Sequence, residues 1–451
     1  MASIAQTSTA AAADTDQRAR RAVGGAFAGF FVDMFDVYLP IIALAPAAAY
    51  FEATGVSAST SAILSAMVFV ATLIGRPIGA AIFGHYGDKI GRRKTAIVSV
   101  AGFGVVTLAI ACLPGYHQIG ITAVIALIAL RLLDGIFLGG EYTAASPLAM
   151  EYSPHHKRGY YGGLIMTGFP IAYVTISLVT LLVLQFAPAK GLDSPYVQWG
   201  WRIPFFAGSL LAFAFVVFYA KYVPESDVWE GGPRNKSPMR ELLSGQNLRV
   251  LGQVFLMMTG IWFTLYMVSA VLPGQLTSTV GLSATQKTVV VLVANLVLAG
   301  GYVAAGLISQ RTGRRPFFIA AGAVAAVFGS IVYALIVNLT KESFGLVLVL
   351  TILVNLLVVA CWGAVTTYVN EAFHTGVRAS GYGLGYSLAV IIPSFYAFYQ
   401  SWLANVMPSK YTALVLLVLG AILLSVGAAM GPETRDVIIR PHDDVEERDV
   451  A

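Results

Sequence analysis

The stretch GHYGDKIGRR, residues 84–93, combines glycines, an acid and closely spaced basic residues directly after a long apolar run. A related stretch, GLISQRTGRR, occupies residues 306–315 and also follows an apolar run. The second stretch begins 222 residues after the first (306 minus 84). This spacing indicates an internal repeat in which each half of the chain carries one copy of the motif.

A second pair of motifs supports the repeat. Glu151 precedes Arg158 by seven residues, and Glu371 precedes Arg378 by seven, an offset of 220 residues (371 minus 151) between the pairs. Two motif pairs at nearly one offset predict parallel halves of the kind that build secondary transporters with a central site.

The segments between the motifs are long enough to cross a bilayer. Hydrophobic residues make up 57% of the 451 residues, charged residues only 11%, and the mean hydropathy is +0.75. Soluble domains carry about 25% charged residues, and about twenty apolar residues cross a membrane. The predicted spans are 22–49, 61–83, 95–114, 119–146, 160–186, 200–222, 250–273, 285–308, 316–338, 344–369, 379–406 and 411–430.

These spans predict an all-α membrane protein with twelve transmembrane helices in two pseudo-symmetric six-helix bundles. We expect a disordered cytoplasmic tail at residues 1–21, followed by a first bundle over 22–222. A polar cytoplasmic linker at 223–249 leads into the second bundle over 250–430, and residues 431–451 form a cytoplasmic tail.

The basic residues predict the orientation. Most of the 28 lysines and arginines, among which we count Arg76, fall on alternate connections. This positive-inside pattern places both termini in the cytoplasm of a multi-pass inner-membrane protein. A nucleic-acid-binding protein with the same net charge of +5 would gather its basic residues on one soluble face.

The motifs resemble those of the major facilitator superfamily, and the resemblance spans the whole chain. Residues 84–93 resemble the superfamily's hallmark loop after helix 2. Several other features resemble its metabolite:proton symporter branch, which carries carboxylates, shikimate and betaines. They are DMFD at 33–36, RPIG at 76–79, RLLDGIFLGGE at 131–141, PLAME at 147–151, RG at 158–159 and WRIPF at 201–205. The branch usually has glutamine at the position of Asp134.

Five ionisable residues inside the predicted helices are candidates for proton coupling. Each such group costs about 2.5–3.5 kcal/mol to insert, so it persists chiefly when paired or functional. The candidates are Asp33, Asp36, Arg131, Asp134 and Glu141. The resemblance implies that helices 1 and 4 line a cavity, so four acids would face one arginine. An acid whose arginine partner comes and goes can bind and release a proton; a fixed ion-pair cluster is the structural alternative.

The loop motifs are candidates for gating. A carboxylate at Asp88 is expected to cap a helix N-terminus, while Arg92 or Arg93 reaches Glu151 and Arg314 or Arg315 reaches Glu371. Such pairs would close the cytoplasmic side; the alternative is that the arginines only enforce topology. The gating set is Gly84, Asp88, Gly91, Arg92, Arg93, Glu151, Arg158, Arg314, Arg315, Glu371 and Arg378.

Polar and aromatic residues, mostly in the second half, are candidates for a substrate pocket. They are Arg131, Trp262, Tyr266, Asn355, Trp362, Tyr382 and Tyr386. With Arg131 as the single deep cation, a substrate with several carboxylates would leave one unpaired, which is prohibitive in a dry interior. The chain therefore favours a monocarboxylate.

Taken with the resemblance, these features imply a proton-coupled symporter that imports a small organic acid by alternating access. A sugar or drug transporter of the same superfamily, or a transporter-like receptor, is the alternative. No nucleophile–base, metal or nucleotide motif indicates an enzyme. The expected partners are the organic acid, protons and the lipid bilayer, with no nucleic acid and no cofactor besides protons, and we expect a monomer.

Overall fold

The computed structural model describes residues 2–53, 55, 57–90, 92–222, 238–374 and 376–439, and the regular structure of that part is helical. Within these residues, twelve helices are long and apolar enough to cross a membrane, which confirms the predicted fold class. They are α1 Ala19–Phe51, α2 Ile63–Gly84, α3 Arg93–Ala111, α4 Ile121–Tyr152, α5 His155–Phe186, α6 Tyr196–Tyr222, α7 Gly245–Ser278, α8 Ala284–Thr312, α9 Arg314–Ile336, α10 Lys341–Ala372, α11 Arg378–Leu403 and α12 Ser409–Met430.

The ends of the chain differ from the expectation. The backbone of Ala2–Leu39 is one helix, so the structure continues α1 through residues expected to be a disordered tail. Of the expected linker at 223–249, residues 223–237 lie outside the described part; a short helix, Pro238–Leu242, precedes α7, which begins at Gly245. Of the tail, only residues 431–439 are described.

Glycines allow the helices of the first bundle to pack with their backbones in contact. A methyl group at Gly135 of α4 would lie 1.9 Å from the Thr72 carbonyl oxygen of α2, and one at Gly79 would lie 1.9 Å from the Ile136 oxygen. A small-residue surface of this kind permits close helix approach in a membrane. The tight α2–α4 contact fixes the positions of the charged side chains that these two helices carry.

The two halves meet in a similar way where α5 crosses α8. A methyl group at Gly306 would lie 2.1 Å from the Gly159 oxygen. The neighbouring Gly159 amide donates a hydrogen bond to the Gln310 side chain at 3.0 Å. This crossing lies at the end of the molecule that carries the loops after α4, α8 and α10, which begin at Ser153, Gly313 and Phe373. We call this end the motif face.

Several helices change winding near their middle. A π-helical turn, Pro40–Leu44, interrupts α1, and a corresponding turn, Met267–Val271, interrupts α7. In α11 the helix breaks at Phe395, two residues after Pro393. Because π-turns are frequent at functional sites, these interruptions indicate a functional site near the middle of the bundle.

Candidate functional site

Asp36 and Arg131 form a buried ion pair between α1 and α4. The Nη1 atom of Arg131 lies 3.0 Å from Asp36 Oδ2 and 2.9 Å from Asp134 Oδ2. The Thr107 hydroxyl of α3 donates to Asp36 Oδ1 at 2.5 Å. None of these four side chains is appreciably exposed. Two carboxylates therefore share one guanidinium, as the sequence predicted for three of the five coupling candidates.

Asp33 does not join that pair, because it binds a second arginine. Arg76 of α2 is 1% exposed and forms an ion pair with Asp33. Counting Arg76 with the connections was therefore wrong, and so was the expectation of a single deep cation. The signal was available: Arg76 lies well inside the apolar run 61–83, where an unpaired cation would be costly.

Arg76 also connects the charged residues to a group of aromatic rings. Its guanidinium lies over the ring of Tyr142 in α4, 4.9 Å from the centroid, which is the geometry of a cation–π contact. Its Nε and Nη1 atoms have no hydrogen-bond partner within the described ranges. Arg76 thus keeps donors available beside the boundary between the two halves.

The predicted aromatic residues of the second half come together there. The centroid of Trp262 lies 4.5 Å from Trp362, 5.2 Å from Tyr386 and 5.5 Å from Tyr266. Tyr382 stacks on Tyr386 at 5.8 Å. Tyr142 of the first half lies 5.2 Å from Tyr386. We call Tyr142, Trp262, Tyr266, Trp362, Tyr382 and Tyr386 the aromatic cluster.

Polar atoms of this cluster remain available for a ligand. Among the residues that the structure describes, the hydroxyls of Tyr266 and Tyr386 and the Nε1 of Trp362 make no hydrogen bond. The Trp262 Nε1 instead donates to the Tyr386 carbonyl at 3.1 Å, which holds the two rings together. The cluster therefore combines fixed rings with free hydrogen-bonding groups.

Two predicted pocket residues lie elsewhere. Asn355 donates to the Thr351 carbonyl at 2.8 Å and lines a small cavity with Tyr173, Ser269 and Asn295. Arg131 is held by Asp36 and Asp134, as described above. Arg76 borders the aromatic cluster. The sequence analysis assigned it to a connection and not to the substrate pocket.

Glu141, the fifth coupling candidate, is isolated. It is 1% exposed, and neither carboxyl oxygen has a hydrogen-bond partner in the described part of the chain. Its position on α4 is ten residues beyond Arg131 in the direction of the motif face.

Two ion pairs on the motif face cross between the halves. Arg378 Nη1 at the start of α11 lies 3.0 Å from Glu151 Oε1 near the end of α4. Arg158 of α5 lies 3.9 Å from Glu371 of α10, and Glu371 also accepts from Arg314 at 3.1 Å. The predicted Arg314–Glu371 contact is therefore present, while Glu151 pairs with an arginine of the opposite half that the sequence analysis did not select as its partner.

The remaining gating candidates are only partly described. Gly91 and the side chains of Asp88 and Arg92 lie outside the described part, so the capping and pairing predicted for them stay predictions; Gly84 lies at the end of α2. Arg93 donates to the Ala220 carbonyl of α6. Arg315 donates to the Ala429 carbonyl at 2.7 Å rather than to Glu371.

Residues 431–439 run across the motif face and contact both halves. Glu433 accepts from the backbone amides of Arg314 and Arg315 at 2.8 and 3.1 Å. Arg158 Nη1 donates to the Val437 carbonyl at 2.7 Å, and Thr434 donates to Glu371 at 3.0 Å. This ordered segment was expected to be only a charged tail.

Comparison with known proteins agrees with this architecture. A sequence model of the Major Facilitator Superfamily matches residues 26–397. The inner membrane metabolite transport protein YhjE of Escherichia coli (strain K12) is 29% identical over 384 residues, covering 83% of this chain and 86% of that protein. The alpha-ketoglutarate permease of the same organism is 29% identical over 400 residues, covering 86% and 88%. The proline/betaine transporter of Salmonella typhimurium is 27% identical over 428 residues, covering 90% and 83%.

Solved structures share the fold. The proton:xylose symporter XylE bound to 6-bromo-6-deoxy-D-glucose matches with a TM-score of 0.72 and 18% identity, covering 93% of this chain and 97% of that one. A partially occluded inward-open XylE from E. coli matches with a TM-score of 0.70, 17% identity and coverage of 94% and 100%. Because the family model extends over most of the sequence and the twelve-helix fold agrees with it, the chain belongs to the major facilitator superfamily of membrane transporters.

Proposed function

We propose that this chain is a proton-coupled symporter that imports a small organic acid, a monocarboxylate in preference to a tricarboxylate, by alternating access. The observation that carries the proposal is the presence of two buried arginines in the first half, Arg131 paired with Asp36 and Arg76 paired with Asp33. Ionisable groups inside a bilayer are retained chiefly when paired or functional. One pair serves the proton and the other serves the substrate anion.

Asp36 is the proton-binding group in this proposal. It shares Arg131 with Asp134, so Arg131 keeps a carboxylate partner when Asp36 takes up a proton. Protonation of Asp36 then ends its ionic contact with Arg131. Because Asp36 belongs to α1 and Arg131 to α4, this release frees one helix to move relative to the other.

Arg76 is the anion-binding group. Its Nε and Nη1 have no hydrogen-bond partner in the described structure, and a guanidinium binds a carboxylate with two donors at once. Tyr142 and Tyr386 stand beside it and supply rings and hydroxyls for the rest of the molecule. A tricarboxylate would bring further charges that lack a cation, which a dry site does not tolerate. Arg76 thus takes the role that the sequence analysis gave to Arg131.

The motif face is cytoplasmic in this proposal, with both termini on the same side, because the basic loops concentrate there. The cross-half pairs Glu151–Arg378 and Arg158–Glu371 hold that side closed. Alternating access then requires that these pairs break when the substrate is released inward.

The names of two relatives support a substrate with a carboxylate. One is an alpha-ketoglutarate permease and the other a proline/betaine transporter, and each named solute contains a carboxylate. Because alpha-ketoglutarate contains two, it belongs in the panel that tests the monocarboxylate preference.

Uptake by purified protein in liposomes tests the proposal. Radiolabelled lactate, benzoate, shikimate, proline, alpha-ketoglutarate, citrate and xylose would each be offered with and without an inwardly directed proton gradient. We expect a monocarboxylate to accumulate only when the gradient is imposed. The proposal would be contradicted if xylose or citrate accumulated and no monocarboxylate did. It would also be contradicted if accumulation were the same with and without the proton gradient.

A further inference from the structure

Glu141 occupies a space that only a glycine leaves open. A methyl group built at Gly29 of α1 would lie 1.9 Å from Glu141 Oε1 and 3.2 Å from the ring of Phe215 in α6. The carboxyl group therefore rests against the backbone of α1 with an aromatic ring close by. Neither oxygen finds a hydrogen-bond donor in the described ranges.

The charged groups near Glu141 do not neutralise it. Asp33 and Arg76 act on it electrostatically, but Arg76 forms its ion pair with Asp33. Tyr382 of α11 also interacts electrostatically with Glu141. An isolated carboxylate in an apolar interior costs far more than a neutral carboxyl group. Burial without a partner therefore favours the neutral carboxyl form of Glu141 in this arrangement of the helices.

The position of Glu141 along α4 gives the proton a route. Glu141 lies ten residues from Arg131 and ten residues from Glu151, about 15 Å in each direction at the rise of an α-helix. It thus lies between the Asp36–Arg131 pair and the cross-half ion pairs Glu151–Arg378 and Arg158–Glu371. We call these two cross-half pairs the gate.

We propose that Glu141 binds a transported proton of its own, separate from the proton of Asp36, and that Gly29 provides the dry site that retains it. The proposal rests on the proton-coupled symport proposed above. As the motif face closes, the carboxylate takes up a proton that entered from the opposite side of the membrane, and in the closed state this proton stays on the carboxyl oxygen. In the open state it passes to cytoplasmic water and leaves Glu141 as a hydrated carboxylate, so one proton crosses for each cycle of this site.

The proton-to-substrate ratio tests the proposal. It is measured in liposomes from the accumulation ratio at a series of imposed pH gradients with the membrane potential clamped at zero. Each coupled proton contributes about a factor of ten in accumulation per pH unit. We expect Glu141→Gln, which keeps the shape of the neutral acid, to couple one proton fewer and to accumulate about tenfold less at a one-unit gradient. Glu342→Gln, at an exposed carboxylate, is the control and is expected to match the parent.

The outcomes separate the two proposals. If the accumulation ratio of the parent protein does not change with the pH gradient, the proposed function is overturned. A coupled parent with an unchanged ratio in Glu141→Gln overturns only the assignment of Glu141, as does a folded glutamine variant that cannot exchange substrate at equal pH.

A second pair of variants covers the case in which Glu141→Gln does not fold. Gly29→Ala displaces the carboxyl group from its site, while Gly24→Ala, on the same helix, places its methyl group where nothing lies within 4 Å. We expect Gly29→Ala to lose about one coupled proton and Gly24→Ala to lose none. Equal ratios in both variants would overturn the assignment.

Discussion

Glu151 and Arg378, which belong to different halves of the chain, lie 3.0 Å apart on the motif face. Their repeat equivalents, Glu371 and Arg158, lie 3.9 Å apart. The acid of each half therefore faces the arginine of the other, so one pseudo-symmetric arrangement produces both contacts. In the proposed alternating-access cycle, both pairs separate when the motif face opens.

Charge reversal tests whether the Glu151–Arg378 pair holds the gate closed. Removing one partner of a buried ion pair costs about 3–5 kcal/mol, so Glu151→Arg or Arg378→Glu alone is expected to favour the open state. The double variant is expected to restore closure in part. The readout is thiol labelling, from the motif face, of a cysteine at Thr367, a buried residue that donates to the Arg158 carbonyl, with Cys112 and Cys361 replaced by serine.

Lys341→Glu, at an exposed position at the start of α10, is the control for this experiment and is expected to leave labelling unchanged. Single variants that label no faster than the parent would show that the pair does not hold the gate. A double variant that labels as fast as the singles would show that the two residues act independently.

The segment 431–439 is expected to assist closure. Glu433 accepts from two amides at the start of α9, and a negative charge at a helix N-terminus contributes about 0.3–1 kcal/mol. Glu433→Gln is therefore expected to raise labelling of the Thr367 cysteine by roughly 2–5-fold. Asp436→Asn, whose carboxylate pairs with the adjacent exposed Arg435, is the matched control. Equal labelling in both variants would show that residues 431–439 do not help to close the gate.

Arg76→Lys tests the assignment of the substrate anion. Lysine keeps the positive charge beside Asp33 but lacks the two-donor fork of arginine. Hydrogen bonds to charged groups contribute about 1.5–3 kcal/mol, so the KM of the transported acid is expected to rise roughly tenfold to a hundredfold. Arg202→Lys, at an arginine that stacks on Tyr50 and Trp201, is the control. An unchanged KM in Arg76→Lys would place the anion elsewhere.

Competition between acids tests the charge preference. We expect an excess of benzoate, lactate or shikimate to inhibit uptake of the transported acid. Citrate is expected to inhibit it weakly, because only one of its carboxylates can pair with Arg76 and the others lack a cation. The inhibition constants of the four acids give the answer directly. Strong inhibition by citrate with none by the three monocarboxylates would contradict the preference.

Much of the fold was predictable because hydropathy and length act locally. The apolar runs predicted all twelve spans to within a few residues at most boundaries. Helical spacing also grouped residues correctly: Trp262 with Tyr266, and Tyr382 with Tyr386, lie four apart and share one cluster. Gly135 and Gly139, four apart on α4, both lie against the backbone of α2.

Contacts between distant segments were less predictable. Arg76 lies beside a proline inside an apolar run, and only the position of Asp33 in α1 identifies its partner. The partner of Glu151 depends on how the halves face each other, which no local pattern encodes. The order of residues 431–439 arises from several hydrogen bonds to backbone groups, which leave no periodic signal in the sequence.

The most direct test of the central claim is uptake by Asp36→Asn. Asparagine can neither bind nor release a proton, so the variant is expected to lose the accumulation that the proton of Asp36 drives while it still exchanges labelled for unlabelled substrate at equal pH. The control is Asp193→Asn, in the connection between α5 and α6 and outside the charged cluster. At a pH gradient of one unit, accumulation should fall about tenfold in Asp36→Asn, and it should fall to the level of the parent without a gradient when Glu141→Gln is added. If Asp36→Asn accumulates substrate as the parent does, Asp36 does not couple transport to protons.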